Sequence, residues 1–130
     1  ICDFGSSSKF NSQDGEAIIT DGIRRGTKQY QSPELKYSKE CEAFKCDSYA
    51  LGVTLYVLLT KRYPKEPTPD CVADCSFADG YSSECKNLLQ RLLCYNPRER
   101  ISVSDALSHV WLNQSKRSKL NAMIKNKISC

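Results

Sequence analysis

The sequence has little methionine and histidine and no apolar run long enough to span a membrane. Its only methionine is Met123 and its only histidine is His109. Because the chain opens at Ile1 rather than at a methionine, we expect it to be a piece of a longer protein. Residues 1–8 contain neither the basic stretch nor the apolar stretch of a signal peptide, and no segment is long enough to span a membrane. We therefore expect a cytoplasmic protein with no membrane partner.

Cysteine, in contrast, is frequent, with eight residues in the chain of 130. In a small secreted protein this number would suggest disulfides, but no signal peptide is visible and the cysteines fall within helix-like stretches. We therefore expect reduced thiols. A structural zinc site is disfavoured, because its ligands usually come in close pairs and a single histidine leaves few combinations.

Positive charge is concentrated at the C-terminal end. The net charge is +4, and the basic residues of the last stretch have no acid among them: Lys116, Arg117, Lys119, Lys125 and Lys127. The rest of the chain is nearly neutral, which argues against a nucleic-acid partner. The tail also carries apolar residues near helical spacing, so it could contact a partner or remain a solvated tail.

Turn-forming residues dominate the chain up to Gln31, which predicts a long loop. At Ser32 the signals change, because a candidate N-cap precedes Pro33 and the acidic Glu34, so a short helix should begin there. The apolar run from Asp47 to Leu59 is long enough for a helix in the middle of a core.

Two further helices are expected in the C-terminal half. Leucines at helical spacing follow Ser82 or Ser83, either of which can cap the helix, and Asn96-Pro97 ends it. Ser102 resembles the start of a capping box for the last helix. That helix should present one apolar stripe, made of Val103, Ala106, Leu107, Val110 and Trp111.

Five short motifs follow one another in the order found in eukaryotic-type protein serine/threonine kinases. They are Asp3-Phe4-Gly5, the string from Gly26 to Glu34, the string from Asp47 to Gly52, Asn96-Pro97-Arg98-Glu99-Arg100, and Ser108-His109-Val110-Trp111-Leu112. The chain therefore resembles the C-terminal lobe of a protein kinase domain, entered at its magnesium-binding motif.

The resemblance implies a mainly α fold, with a long activation-segment loop at the N-terminus. Residues 1–112 would be a partial kinase domain, divided into an activation segment at 3–34 and a helical lobe at 35–112. Residues 113–130 would be a basic tail. The parent protein would transfer the γ-phosphate of ATP to a protein hydroxyl, and the glycine-threonine pair favours serine or threonine over tyrosine.

By the same resemblance, Asp3 would bind the magnesium ion of ATP, since Mg²⁺ prefers carboxylate and phosphate oxygens. Phe4 would set the active or inactive position and Gly5 would permit the turn, so the three residues form the expected ATP and Mg²⁺ site. The alternative for Asp3 is an ordinary aspartate in a turn.

Four more residues acquire roles from the resemblance. Gly26 and Thr27 would lie beside the acceptor hydroxyl of the protein substrate, the alternative for Thr27 being an ordinary loop residue. Glu34 and Arg100 would form a buried, bidentate ion pair with a structural role. The alternative for this pair is two surface charges that never meet.

Three further features are more open. Asp47 would accept backbone N–H groups of the catalytic loop, unless it merely caps its own helix. The position just before Gly26, where the family is phosphorylated, holds Ile23, so Thr20 is the nearest candidate phosphosite. The alternative is an unmodified threonine. The basic tail resembles the inhibitory or calmodulin-binding helix of calmodulin-regulated kinases, so calmodulin or an intramolecular contact is a candidate partner.

The 130 residues contain no glycine-rich loop, no phosphate-binding lysine motif and no catalytic loop. Since phosphoryl transfer depends on all of these parts, no catalytic set is complete and we expect the chain alone to be inactive. The alternative functions are a pseudokinase-like or scaffolding module that binds a protein partner, and a plain helical interaction domain. Without upstream packing partners, the helix from Asp47 to Leu59 should leave apolar surface uncovered.

Overall fold

The computed structural model of the chain describes residues 7, 18–19, 26–38, 40–65, 67–68 and 80–113. Their regular structure is mainly helical, with one short antiparallel strand pair. In chain order the elements are β1 (Ile18–Ile19), a 3-10 turn (Lys28–Tyr30), α1 (Pro33–Tyr37), β2 (Cys41–Glu42), α2 (Ala43–Thr60), α3 (Ser83–Leu92) and α4 (Val103–Leu107). Residues 110–113 add a further helical turn. Within these ranges, no helix combines the length and the apolar character that crossing a bilayer requires.

Helix α2 is the longest element and begins one turn before its predicted start. It runs from Ala43, so Asp47 lies in its second turn rather than at its beginning. The residues before Asp47 mix polar and apolar types, which hides the extra turn from a prediction based on an apolar run. The helix ends where Lys61 takes a left-handed conformation with φ of 60° and donates its N–H to the Val57 carbonyl.

The core forms where α2 and α3 approach each other closely. A Cβ atom at Gly52 would lie 2.8 Å from the Leu92 Cβ and 3.1 Å from the Leu93 side chain, so only glycine allows this spacing. The contact between α2 and α3 therefore depends on glycine at position 52 as much as on the apolar side chains around it. The buried residues around it are Tyr49, Val53, Tyr56, Cys85, Leu89 and Leu93.

The opposite face of α2 stays exposed. Phe44, Leu51 and Leu58 are spaced seven residues apart, which places them on one side of the helix. All three are exposed large apolar residues. The expectation that α2 lies in the middle of a core therefore holds for only one of its faces.

Serine caps start the next two helices. The Ser82 hydroxyl accepts the Cys85 N–H at 3.3 Å, and the Ser102 hydroxyl accepts the Asp105 N–H at 3.1 Å. These contacts agree with the capping signals in the sequence. α4, however, ends at Leu107, earlier than predicted.

The predicted apolar stripe of the last helix is wrong. Val103, Leu107 and Val110 are exposed, and only Ala106 of the predicted set is fully buried. Because the helix is interrupted at residues 108–109, the residues on either side do not share one continuous face. Ala106 instead joins a second buried cluster with Leu88, Leu92 and Ile101, against which Trp111 packs.

A short strand pairing ties the N-terminal segment to the start of α2. Ile18 pairs with Glu42 and Ile19 with Cys41, in antiparallel register. The sequence predicts a loop with little regular structure here, because two-residue strands are too short to show the alternation by which strands are recognised. This pairing therefore joins residues 18–19 to the residues that lead into α2.

Candidate functional site

The Gly26-Thr27 pair opens a tight turn at the surface. Gly26 has a φ of +86°, which other residues rarely adopt, whereas a Cβ atom there would meet no neighbour. Glycine is therefore needed here for backbone conformation and not for close packing. The Tyr30 N–H donates to the Thr27 carbonyl at 3.0 Å. Gln31 Nε2 donates to the Gly26 carbonyl at 3.1 Å, and the two bonds hold the turn in place.

The Thr27 side chain projects from this turn. It is exposed, and its hydroxyl makes no hydrogen bond to the residues that the structure describes. The turn thus presents an accessible hydroxyl on a backbone fixed by hydrogen bonds.

Glu34 and Arg100 meet in a buried, bidentate ion pair. The Arg100 Nη1 donates to Glu34 Oε1 at 2.5 Å, and Nη2 donates to Oε2 at 2.8 Å. The Arg100 side chain is 0% exposed and the Glu34 side chain is 8% exposed. Such parallel bonds match the planar guanidinium to the plane of the carboxylate. The pair joins α1 to the turn that precedes α4.

All five N–H donors of the Arg100 guanidinium are used. Three of them go to backbone carbonyls: Nε donates to Cys94 at 2.9 Å, Nη1 to Lys45 at 2.8 Å and Nη2 to Tyr95 at 3.1 Å. A buried guanidinium has lost its water, so each unpaired donor would cost free energy. The carbonyl contacts therefore allow the charge to be buried, and they fix the turn around it.

The electrostatics of the pair favour the ionised state of Glu34. Burial raises the pKa of its carboxyl, but the hydrogen bond and the charge of Arg100 together lower the pKa by more than burial raises it. The Glu34 pKa therefore lies below its usual range. The Tyr49 ring adds a contact, with its centroid 5.1 Å from the guanidinium carbon. Glu34 is thus a carboxylate at neutral pH, and its charge is cancelled by Arg100.

Sequence reasoning missed two neighbours of this pair. The Lys45 ammonium donates to the Arg100 carbonyl at 2.5 Å, and the Cys46 thiol donates to Glu34 Oε1 at 3.6 Å. Burial raises the pKa of the Cys46 thiol to about 12, so this thiol is a donor and not a nucleophile. Both residues lie in the first turn of α2. A prediction that started this helix at Ala43 would have included them.

Asp47 lies inside α2, in its second turn. Glu42 occupies the N-cap position, so the alternative that Asp47 caps its own helix is wrong. Its carboxylate is exposed and makes no hydrogen bond or ion pair within the described part of the chain. The protein around it still removes some of its water, which raises the pKa of its carboxyl. Asp47 is thus available to accept hydrogen bonds from another segment.

The other predicted site residues lie outside the described residues. They are Asp3, Phe4, Gly5 and Thr20, together with the basic tail from residue 114 onward. The expected ATP and Mg²⁺ site, the phosphosite and the calmodulin contact therefore stay predictions. Of the predicted set, the structure brings together Glu34 and Arg100.

Comparison with known proteins places these features in a family. Residues 1–112 match the family model of the protein kinase domain, which is most of the chain. The chain is 32% identical to human SNF-related serine/threonine-protein kinase over 119 aligned positions, which cover 86% of the chain and 15% of that protein.

Plant relatives give the same result. The rice serine/threonine-protein kinase SAPK1 is 32% identical over 126 aligned positions, which cover 85% of the chain and 35% of that protein. Serine/threonine-protein kinase SRK2A of the moss Physcomitrium patens is 33% identical, with 85% of the chain and 34% of that protein covered. The chain thus spans about a third or less of the relatives it matches.

Proposed function

Because the chain belongs to the protein kinase domain family, we propose that the protein it comes from transfers the γ-phosphate of ATP to serine and threonine hydroxyls of other proteins. The buried pair of Glu34 and Arg100 carries this proposal, since it joins two of the kinase-like motifs in one helical lobe. The Gly26-Thr27 pair supports a serine or threonine acceptor, and the names of the relatives agree with that.

In this proposal the metal and nucleotide are held by Asp3, with Phe4 and Gly5 beside it. A carboxylate together with phosphate oxygens is the ligand set that Mg²⁺ prefers, so Asp3 suits the role. When bound, the ion neutralises the charge that develops on the transferred phosphoryl group.

Thr27 and Asp47 would connect the lobe to the other catalytic parts. The Thr27 hydroxyl would bond to the catalytic loop beside the acceptor, and its exposed, unpaired position on a fixed turn supports this role. The exposed and unpaired Asp47 carboxylate would accept backbone N–H groups of the same loop. Both residues position other groups and do not react themselves.

The chain alone is expected to be inactive. Its 130 residues include no phosphate-binding lysine motif and no catalytic loop, and positioning by those parts supplies most of the rate acceleration in phosphoryl transfer. Incubation of the purified chain with radiolabelled Mg-ATP and a serine-containing protein should therefore give no labelled product. Labelled product would contradict this expectation.

A chimera tests the proposal directly. Residues 1–112 of this chain would replace the matching segment of human SNF-related serine/threonine-protein kinase, which retains its own upstream parts. We expect the chimera to label serine and threonine, as read by phosphoamino-acid analysis. Asp3→Asn should abolish labelling, because it removes the proposed metal ligand.

Asp14→Asn serves as the matched control, since it removes another acid from the same N-terminal stretch. Equal labelling by the Asp3→Asn chimera and its parent would contradict the proposal, as would labelling of tyrosine alone. A folded chimera that transfers no phosphate would favour the pseudokinase-like or scaffolding module.

A further inference from the structure

Beside the Gly26-Thr27 turn lies an open cavity of about 340 Å³. Its walls come from the 3-10 turn, from α1, from α2 and from the segment that follows α2. Two of the lining residues are basic and none is acidic. They are Lys28, Gln29, Lys36, Tyr49, Tyr63 and Pro64.

The cavity is held in shape by contacts between its walls. The 3-10 turn is closed by the hydrogen bonds of Tyr30 and Gln31 to the backbone of Thr27 and Gly26. The Tyr30 ring also packs edge-on against Tyr63, with the ring centroids 5.8 Å apart and the planes at 87°. This contact links the turn to the segment after α2, so two of the cavity walls are held against each other.

Lys28 supplies a positive charge at the rim. It is exposed, and its ammonium makes no hydrogen bond or ion pair with the described part of the chain. The neighbouring Gln29 amide is likewise exposed and unpaired there. Three more basic residues flank Tyr63 and Pro64 in the sequence, namely Lys61, Arg62 and Lys65. Because Lys28 lies at the rim and the lining contains no acidic residue, the potential at this cavity favours an anion.

We propose that the cavity binds the carboxylate of an acidic side chain in the protein substrate. The inference rests on the proposed function, because it places this subsite next to Thr27 and hence next to the acceptor hydroxyl. Tyr63 and Pro64 offer apolar surface that can pack against the methylene groups of a glutamate, while Lys28 and Gln29 meet its carboxylate. A small inorganic anion has no apolar part to use that surface.

Peptide titration of the complete chain tests the proposal without ATP. The probes are two blocked peptides with one serine, in which the flanking residues are glutamate in one and glutamine in the other. Amide shifts of Lys28 and Gln29 in nuclear magnetic resonance spectra report binding. We expect the glutamate peptide to bind about fivefold more tightly than the glutamine peptide, as one ion pair near water would provide, and the preference to shrink with added salt.

Variants distinguish binding in the cavity from a general attraction of acidic peptides to a positively charged protein. Lys28→Gln should remove the preference and Lys28→Arg should retain it. Lys86→Gln removes the same charge from α3, outside the cavity lining, and should leave the preference intact. Equal binding of the two peptides would overturn the proposal, and so would a preference lost equally in Lys86→Gln.

Inorganic phosphate provides a further arm. If phosphate displaces the glutamate peptide and shifts the same amides at equal concentration, the cavity is a site for small anions and the proposal is overturned. Because these measurements involve no phosphate transfer, their failure is distinct from a failure of the kinase chimera.

Discussion

The Arg100 guanidinium is buried with all five donors satisfied, and Glu34 is the group that cancels its charge. Burying two charges costs free energy that good geometry only offsets, so the pair by itself does not show that the lobe is stable. Replacing only Glu34 is different, because the Arg100 charge would then remain uncompensated among the backbone carbonyls of Cys94 and Tyr95. The role of the pair is thus to hold α1 against the turn before α4.

Glu34→Gln should destabilise the chain by roughly 3–5 kcal/mol, since it leaves the Arg100 charge buried without a counter-charge. Urea unfolding followed by Trp111 fluorescence would measure the change, because Trp111 is the only tryptophan and packs on the core. Glu40→Gln is the matched control, because Glu40 is exposed and has no partner among the described residues. Equal effects of the two variants would contradict a buried pair.

The same pair predicts loss of stability in acid. Because the Glu34 pKa is lowered in the folded chain, the unfolded chain takes up a proton first as the pH falls. The stabilising contribution is complete above the ordinary glutamate pKa of about 4.3 and is lost as the pH falls through the lower, folded value. Urea midpoints measured from neutral pH to strong acid should show this decline. The decline should persist in Glu40→Gln and be smaller in Glu34→Gln.

At the scale of the element, α2 carries most of the architecture. One face packs on α3, and its first turn supplies Lys45 and Cys46 to the ion pair. The predicted start at Asp47 was one turn late, because the apolar run begins after the residues that start the helix. The serine caps of α3 and α4 were predicted from local sequence, since a cap involves only residues three apart.

Gly52→Ala should destabilise the chain by about 1–3 kcal/mol. A methyl group there would lie 2.8 Å from the Leu92 Cβ, so α2 and α3 would have to separate. Thr54→Ala, on an exposed position of the same helix, is the control and should change the urea midpoint little. If Gly52→Ala instead raised the midpoint, helix propensity would outweigh the packing and the close approach of the two helices would be wrong.

For the molecule as a whole, the described residues leave an apolar face of α2 exposed. Phe44, Leu51 and Leu58 are 53%, 43% and 63% exposed along one side of α2. Large exposed apolar groups that lie together usually mark a surface that contacts other protein. Among the described residues, the two buried clusters form without these three side chains.

The chain should therefore bind a hydrophobic dye and associate at raised concentration. Replacement of Leu51 and Leu58 by glutamate should lower both dye fluorescence and the sedimentation-derived mass, because charged residues on that face remove the contact surface. Lys86→Glu on α3 adds negative charge elsewhere and should have little effect. Unchanged dye binding in the double variant would assign the effect to another surface.

The family followed from the order of five short motifs in the sequence, and the match of residues 1–112 to the protein kinase domain confirms that prediction. The helical character and the serine caps also followed from the sequence, because these depend on residues near one another in the chain. The carbonyls that accept from Arg100 and the exposed face of α2 became known only from the folded chain. These contacts join residues far apart in sequence, and they depend on how the backbone segments pack rather than on any local pattern.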